Sequence, residues 1–404
     1  MPDTFKPRTA EETRDAVQWA SAEVQPLEVV GTGSKRALGR PVQAGHVLDL
    51  SALSGIELYE PAELVLTALA GTPLAEIEAA LEAHDQELAF DPIDYGPLLG
   101  RPAGEGTVGG LVACNLAGSK RLKHGAARDH ILGIEAVSGR GEIFKSGGRV
   151  VKNVTGYDLP RALTGSWGTL AVATKITLKV QPRAQTEATF VLTGPAGAEA
   201  TAAMTAAMGS SAEVSAAAHL PAGIAARLAD DGHPLADGPA TLLRLEGFGP
   251  SVDYRFEALK TLLGGRGGVV RVDGDASRAL WRAVRDVRPF VGADTLVWRV
   301  SVAPTAGATF LADLAETVAH EAYCDWSGGL VWVSIAGADP CANAVRDSVA
   351  RVGGGHATLI RAPAPVRTSV PVFQPQAEPL AALSARLKAQ FDPHGVLNPG
   401  RMGS

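Results

Sequence analysis

A chain of 404 residues with 37 Lys+Arg against 43 Asp+Glu has a formal net charge of −6, length enough for two or three domains, and no basic excess with which to displace counterions from a nucleic acid. Its 46% hydrophobic and 20% charged residues describe a folded globular protein and exclude a disordered one. Three cysteines (Cys114, Cys324, Cys341) without C-x-x-C spacing exclude a disulfide framework and a cysteine-based zinc or iron–sulfur centre. No apolar run reaches about 18 residues and Met1–Ala20 is acidic, so a soluble, cytoplasmic protein without direct membrane insertion is expected.

In chain order, Glu11–Ala22 has helical spacing, Leu27–Val30 is a short apolar strand running into Gly31-Thr-Gly-Ser34, and His46–Leu50 is another strand. Glu63–Ala70 is strand-like, and Gly71-Thr-Pro73 caps a helix over Leu74–Ala83. The rhythm continues through Gly133–Val137, Glu142–Lys145 and a long alternating strand, Thr169–Lys179, that stops at Gln181-Pro-Arg183. A first domain therefore spans 1–185. Beyond it, Ala-rich helices (Ala198–Met208, Val252–Leu263, Ala276–Arg285) alternate with short strands (Phe190–Leu192, Val214–His219, Thr241–Phe248, Val269–Val272). That pattern predicts an α+β layer, an antiparallel sheet backed by helices on one face. Leu296–Val302, Gly329–Ile335 and Ala357–Arg361 add strands and Phe310–Ala322 a helix, which closes a second domain at 186–362. Pro363, Pro365 and Pro371 mark a linker, and a helix over Glu378–Gln390 completes a third segment, 363–404.

Glycine makes up 46 residues, about 11% against an ordinary share of roughly 7%, and it clusters in the first half of the chain. Val29-Val-Gly-Thr-Gly-Ser-Lys35 is a strand feeding a turn whose N–H groups, with the Ser34 hydroxyl and Lys35 ammonium, can form a nest for a pyrophosphate; the plainer alternative is a tight β-turn. Thr107-Val-Gly-Gly110, continuing to Asn115 and Gly118, puts small residues on one side of a short helix, where a planar ring or a phosphate can lie against backbone; the plainer alternative is a glycine-rich helix packed on a sheet. Lys123–Asp129, Val151–Asp158 and Leu163–Ala173 each read alone as turn and strand, and acquire specificity only from their order and spacing.

The series Gly31-Thr-Gly-Ser34, Asp91-Pro92, Thr107-Val-Gly-Gly110 with Asn115 and Gly118, His124-Gly125 with Arg128-Asp129, Tyr157-Asp158-Leu159, Gly165-Ser-Trp-Gly-Thr169 and Asp392-Pro-His-Gly-Val-Leu-Asn-Pro-Gly400 resembles the vanillyl-alcohol-oxidase or p-cresol-methylhydroxylase (PCMH)-type FAD-binding family. Within it, Leu280-Trp-Arg-Ala-Val-Arg-Asp286 and Trp298-Arg-Val-Ser301 are similar to the FAD-binding subunits of bacterial glycolate oxidase. The resemblance implies a two-lobed PCMH-type domain, an α+β cap with an antiparallel sheet, and a C-terminal segment returning to the flavin. It implies that Gly31, Thr32, Gly33, Ser34 and Lys35 hold the FAD pyrophosphate. Asp91 and Pro92, with Thr107, Val108, Gly109 and Gly110, would continue the phosphate and ribityl contacts. Asn115, Ala117 and Gly118 would face the ribityl chain and ring. Trp167, Gly168, Thr169, Leu170, Val172 and Ala173 would reach the adenosine end through backbone groups, and Asn398 would bring the chain end back. Many relatives carry Glu where Trp167 stands. No His or Cys lies in Gly31–Gly39, so FAD is expected to be bound non-covalently.

The resemblance also marks an absence. Relatives that oxidise 2-hydroxy acids carry a His-x-Gly-Asp-Gly-Asn-x-His stretch in the second domain, where the imidazoles serve a divalent metal or the alcohol proton. The equivalent here, Asp325–Ser334, has no His, and His320 and His356 have no paired spacing. Arg282, Arg285, Arg288 and Arg299 are candidate partners for a substrate carboxylate, or else ordinary surface charges and salt bridges. The expected function is thus that of an FAD subunit relaying electrons or supporting a catalytic sister subunit, with an iron–sulfur subunit as further partner; the alternative is a self-sufficient glycolate or D-lactate dehydrogenase.

Overall fold

The protein is described by a computed structural model for residues 3–150 and 156–403, so Val151–Thr155 of the Val151–Asp158 motif lie outside the described residues. The chain divides into two compact units: residues 1–117, 125–183 and 375–404 form the first, residues 118–124 and 184–374 the second.

In the first unit, Thr9 caps helix Ala10–Ala22 by accepting from the Glu12 N–H, and Glu11 and Glu12 complement the positive helix start. The helix buries Thr13, Ala16, Val17 and Ala20, one stripe at helical spacing. That stripe shares a core with Leu27, Leu48, Val137, Val172, Val396 and Leu397. Leu27 and Leu48 come from a three-stranded parallel sheet in the order Asp3–Phe5, His46–Asp49, Leu27–Val30, with Leu397 bridging to Leu27. Val137 and Val172 come from a five-stranded antiparallel sheet in the order Ile56–Glu60, Val65–Leu69, Ala171–Lys179, Ile131–Ser138, Ile143–Gly147. A core that mixes strands 27–30 and 171–179 with residues 396–397 fixes three distant pieces of sequence beside one another.

The second unit is built on an eight-stranded antiparallel sheet in the order Gly268–Asp273, Thr186–Thr193, Ala240–Gly247, Ala216–Leu220, Glu321–Asp325, Leu330–Ala336, Thr295–Ser301, His356–Arg361. Helices Gly197–Met208 and Gly249–Leu263 bury Ala203, Met204, Phe256 and Leu259 against Ala188, Phe190, Leu243 and Leu245. Helices Gly307–Ala315 and Ala342–Arg351 cover Trp298, Val300, Val331 and Val333 in the same way.

Three expectations change. Helices do not keep to one face: Trp281 and Ser277 of helix Gly274–Arg285 hydrogen-bond Thr189, whose neighbours Ala188 and Phe190 point into the other layer. The helix expected over Phe310–Ala322 ends at Ala315, and Glu321–Asp325 is a strand instead. The stretch read as a linker holds helix Ala364–Ser369, with Arg367 buried and Val372 in the core of the second unit. Pro363 stands at its N-cap and Pro365 in its first turn, where a missing N–H costs nothing. Among the described residues, no helix is long and apolar enough to cross a membrane.

Candidate functional site: a glycine-walled cavity in the first unit

Strand Leu27–Val30 ends in a loop whose backbone is unusually open. The N–H groups of Thr32, Gly33, Ser34 and Lys35 donate to no acceptor among the described residues, whereas Arg36 closes the turn by donating to the Gly33 carbonyl at 3.1 Å. Gly33 has φ +80°, a left-handed conformation that glycine adopts without strain. The Lys35 ammonium lies 3.2 Å from the Ser34 hydroxyl and pairs with no carboxylate among the described residues. Four undirected donors and an unpaired cation in one turn make an anion nest.

Opposite this loop stands helix Val108–Cys114. Thr107 caps it, its Oγ1 accepting from Gly110 N–H at 3.2 Å, while Val108 and Gly109 donate to the carbonyls of Thr72 and Ala70 at 3.0 and 2.8 Å. The first N–H groups of this helix are therefore spent inside the protein, and what it offers a ligand is surface. That surface depends on absent side chains. A Cβ on Gly31 would sit 2.7 Å from Thr107 Oγ1, and one on Gly109 2.7 Å from the Ala70 carbonyl.

Two cavities of about 500 and 590 Å³ open here, sharing the walls Gly31, Thr107, Gly110, Trp167 and Asn398. The first is completed by Thr32, Gly33, Ser34 and Lys35, the second by Gly109, Gly168, Val172 and Ala173.

The remaining expected residues line neither cavity. Asp91 has φ 52° and donates its N–H to Leu88, and the adjacent Pro92 is buried, so the pair shapes a turn. Asn115 ends the helix at φ 51°, its Oδ1 accepting from Arg128 N–H at 3.1 Å. Val108 and Leu170 are buried, and Ala117 and Thr169 also stand away from the lining. Gly118 belongs to the second unit, where its carbonyl accepts from the Trp326 indole at 2.9 Å. At Trp167 both backbone groups are taken: its N–H donates to the Ala113 carbonyl at 2.8 Å and its carbonyl accepts from Asn398 Nδ2 at 2.9 Å.

Among the residues of the first cavity that sequence reasoning missed are Cys114 and Arg401. Arg401 is buried and donates through Nη1 to the Leu38 and Arg36 carbonyls at 2.7 and 3.2 Å; burial lowers its pKa, against the opposing charge of Glu28. Its place just after the Asn398-Pro-Gly400 turn was the available signal. Burial pushes the Cys114 thiol up to about 11, although Lys35 and Arg401 pull the other way. The candidate carboxylate partners separate as well. Arg285 pairs with Asp286, Arg288 pairs with Asp231, Arg282 is exposed, and Arg299 stacks on Trp326.

Free loop donors, a lone ammonium and walls that a Cβ would fill fit the pyrophosphate of a dinucleotide. Residues 4–147 match the family model described as FAD binding domain. These define the first unit as an FAD-binding domain, and over 99% of this chain and 88% of the other the fold matches that of p-cresol methylhydroxylase with substrate bound, at TM-score 0.73 and 15% identity. The chain is also 36% identical over 389 residues to the glycolate oxidase subunit GlcE of Escherichia coli strain K12, covering 96% of this chain and 95% of that protein. It belongs to the GlcE family of FAD-dependent oxidoreductases. A D-lactate dehydrogenase of Archaeoglobus fulgidus is 33% identical over 180 residues, 44% of this chain and 38% of that one.

Proposed function

We propose that this chain is the FAD-binding subunit of a multi-subunit glycolate (2-hydroxy acid) oxidase or dehydrogenase, holding FAD non-covalently and relaying electrons for, or supporting, a catalytic sister subunit. The observation that carries the proposal is the end-to-end match to GlcE, which extends through the second unit as well as the cofactor domain. Bound FAD supplies two-electron redox chemistry. The chain's own task is to hold it. The loop N–H groups of Thr32 to Lys35 and the Lys35 ammonium take the pyrophosphate; Gly31, Thr107, Gly109 and Gly110 let it approach backbone. Trp167, Gly168, Val172, Ala173 and Asn398 form the far walls, while Asp91, Pro92, Val108, Asn115, Ala117, Thr169 and Leu170 act through the turns they fix.

The partners proposed are a catalytic FAD subunit and an iron–sulfur subunit, in the cytoplasm and meeting the inner membrane only through those partners. Supporting the division of labour, Asp325–Ser334 supplies no imidazole to take an alcohol proton. The partial match to a D-lactate dehydrogenase favours the second reading, a chain that oxidises a 2-hydroxy acid by itself. Native purification and anaerobic titration separate the two. Recovery of a second flavoprotein and an iron–sulfur protein, with an isolated chain whose flavin glycolate does not bleach, supports the subunit reading. Bleaching of the isolated chain by glycolate overturns it.

A further inference from the structure

The eight-stranded sheet of the second unit ends in two unlike edges. Along His356–Arg361 the chain covers its own edge. Leu359 N–H donates to the Val372 carbonyl at 2.9 Å and Ala357 N–H to Gln374 Oε1 at 3.1 Å, while Arg346 donates to the Pro371 and Phe373 carbonyls and pins that strap down. Along Gly268–Asp273 there is no such cover. This strand pairs with Thr186–Thr193 on one side, and its outward backbone groups meet no partner among the described residues.

An open edge is a template for another strand, and proteins that keep one bare guard it with a bulge, a proline or a lysine. The run Gly268-Val-Val-Arg-Val-Asp273 has no proline or lysine, and its register with Thr186–Thr193 is unbroken. Its single cation is already neutralised: Arg271 bonds Asp273 and Asp253, each at 2.7 Å, with its guanidinium 4.9 Å from the centre of the Phe256 ring. Val270, in contrast, is 39% exposed. The edge is apolar where it is open.

Charge at the two ends of the strand selects the occupant. Arg266, just before it, is exposed and its guanidinium meets no acceptor among the described residues. Just after it stand Asp273 and Asp275, the latter bonded to Arg278 but with its side chain 97% exposed. A strand that is basic at one end and acidic at the other is complementary to an antiparallel copy of itself, since a two-fold axis sets each end against its opposite twice. The register follows from the faces. Arg271 lies opposite Phe190 and so shares the helical-layer face with Val269 and Asp273, while Val270 and Val272 occupy the other. An axis at Arg271 sets two guanidiniums against each other. An axis at Val270 sets that residue against its twin and Val269 against Arg271, and brings Arg266 alongside Asp273-Gly274-Asp275.

We propose that strand Gly268–Asp273 is a self-association edge, on which a second copy of this chain adds its own Gly268–Asp273 antiparallel about Val270, so that the sheet runs on from one copy into the other. Two strands of six residues make a small contact, so the dimer is reversible and concentration-dependent. Every residue that carries this surface belongs to the second unit, and neither FAD nor the sister-subunit reading enters it.

The test is sedimentation equilibrium of the isolated full chain over a concentration series, with backbone hydrogen exchange read across residues 268–273. A monomer–dimer equilibrium is expected, with exchange at the edge slowing as dimer forms. Val270→Lys opposes two ammoniums across the axis, and Arg266→Glu opposes carboxylates at both ends; each is expected to weaken the dimer by roughly tenfold or more while unfolding at the wild-type midpoint. Combining Arg266→Glu with Asp275→Arg reverses both ends and is expected to restore association to within a few-fold of wild type, which a mere loss of folding could not do. A chain that stays monomeric up to its solubility limit, a dimer untouched by either single variant, or a charge swap that restores nothing overturns the proposal. So does protection of residues 268–273 only in a purified multi-subunit complex, which would give the edge to another subunit instead.

Discussion

The Asn398 side-chain oxygen accepts the Val29 backbone N–H at 2.8 Å, across 369 positions of sequence. The same amide donates to the Trp167 carbonyl at 2.9 Å, and the Asn398 N–H donates to the Leu27 carbonyl at 3.0 Å. One buried side chain thus ties the strand before the phosphate loop to the far wall of the cavity. Asn398→Ala strands a donor at Val29 and an acceptor at Trp167, each costing about 1–3 kcal/mol when buried. A lower unfolding midpoint together with partial loss of FAD is expected. Asn398→Asp keeps an acceptor for Val29 but buries a carboxylate whose second oxygen opposes the Trp167 carbonyl, so it should be at least as destabilising as Asn398→Ala; a midpoint equal to wild type in Asn398→Ala would contradict the tie.

Gly31 and Gly109 fail differently on gaining a methyl group. At Gly109 the new Cβ meets the Ala70 carbonyl at 2.7 Å and the Ala70 Cβ at 2.9 Å, backbone-anchored atoms that cannot step aside. Gly109→Ala should cost about 1–3 kcal/mol of stability, as overpacking does. At Gly31 the obstacle is Thr107 Oγ1 at 2.7 Å, a side chain that can rotate but only by giving up its cap on Gly110. Gly31→Ala should therefore retain more stability than Gly109→Ala and lose FAD more readily. Paired unfolding and flavin-retention measurements on the two variants check this order.

Lys35 offers the cleanest separation of cofactor binding from folding. It has no ion pair among the described residues to lose. Removing one charge-assisted hydrogen bond to a phosphate is worth about 1.5–3 kcal/mol, which corresponds to roughly 10- to 100-fold in affinity. Lys35→Ala should weaken FAD binding by that order while the flavin-free protein unfolds as wild type does. Unchanged FAD affinity would remove the pyrophosphate from this loop.

How legible the molecule was depended on whether the deciding physics was local. Gly31-Thr-Gly-Ser34 could be read because an open turn after a strand follows from glycine and short polar side chains alone. Cys114 and the inward turn of Arg401 could not, because which side of helix Val108–Cys114 and of the C-terminal turn meets the cavity is settled by distant backbone partners, the Thr72 and Ala70 carbonyls for the helix start and the Leu38 carbonyl for Arg401. Glu321–Asp325 was lost for a similar reason: the Ala- and Leu-rich run from Phe310 has helical spacing, and only pairing of Ala322 and Cys324 with Val333 and Val331 makes the later part a strand. The prolines after Ala362 suggested a linker because their position in a helix start cannot be told from composition.

Two buried groups in the second unit set an acid profile. Burial pushes the His219 imidazole down to about 4. Unfolded chain takes up that proton near pH 6.5, so this part of the stability is complete above pH 6.5 and is lost as pH falls towards 4. Burial alone would raise the Glu246 carboxyl, but Arg244 and Lys120 outweigh it and hold the group at about 2. That contribution is present above about pH 4.5 and is lost on the way down to 2. Each amounts to about 3 kcal/mol. Urea midpoints measured against pH should fall in two stages, and His219→Gln should flatten only the upper one. A profile flat between pH 6.5 and 4 would show that the imidazole is not held neutral.

The nature of the cofactor linkage turns on Cys114, the one cysteine that lines the cavity. Attack on a flavin requires a thiolate, and a thiol pushed up to about 11 is almost wholly protonated at neutral pH. Lys35 and Arg401 favour the thiolate, yet burial prevails. FAD should therefore leave the chain completely on denaturation, leaving a polypeptide of unmodified mass, and Cys114→Ser should keep its flavin. Slow alkylation of Cys114 by iodoacetamide in the native protein at pH 8 is expected for the same reason. A polypeptide heavier by one FAD, with the increment lost in Cys114→Ser, would establish a covalent link at this sulfur and overturn the non-covalent assignment.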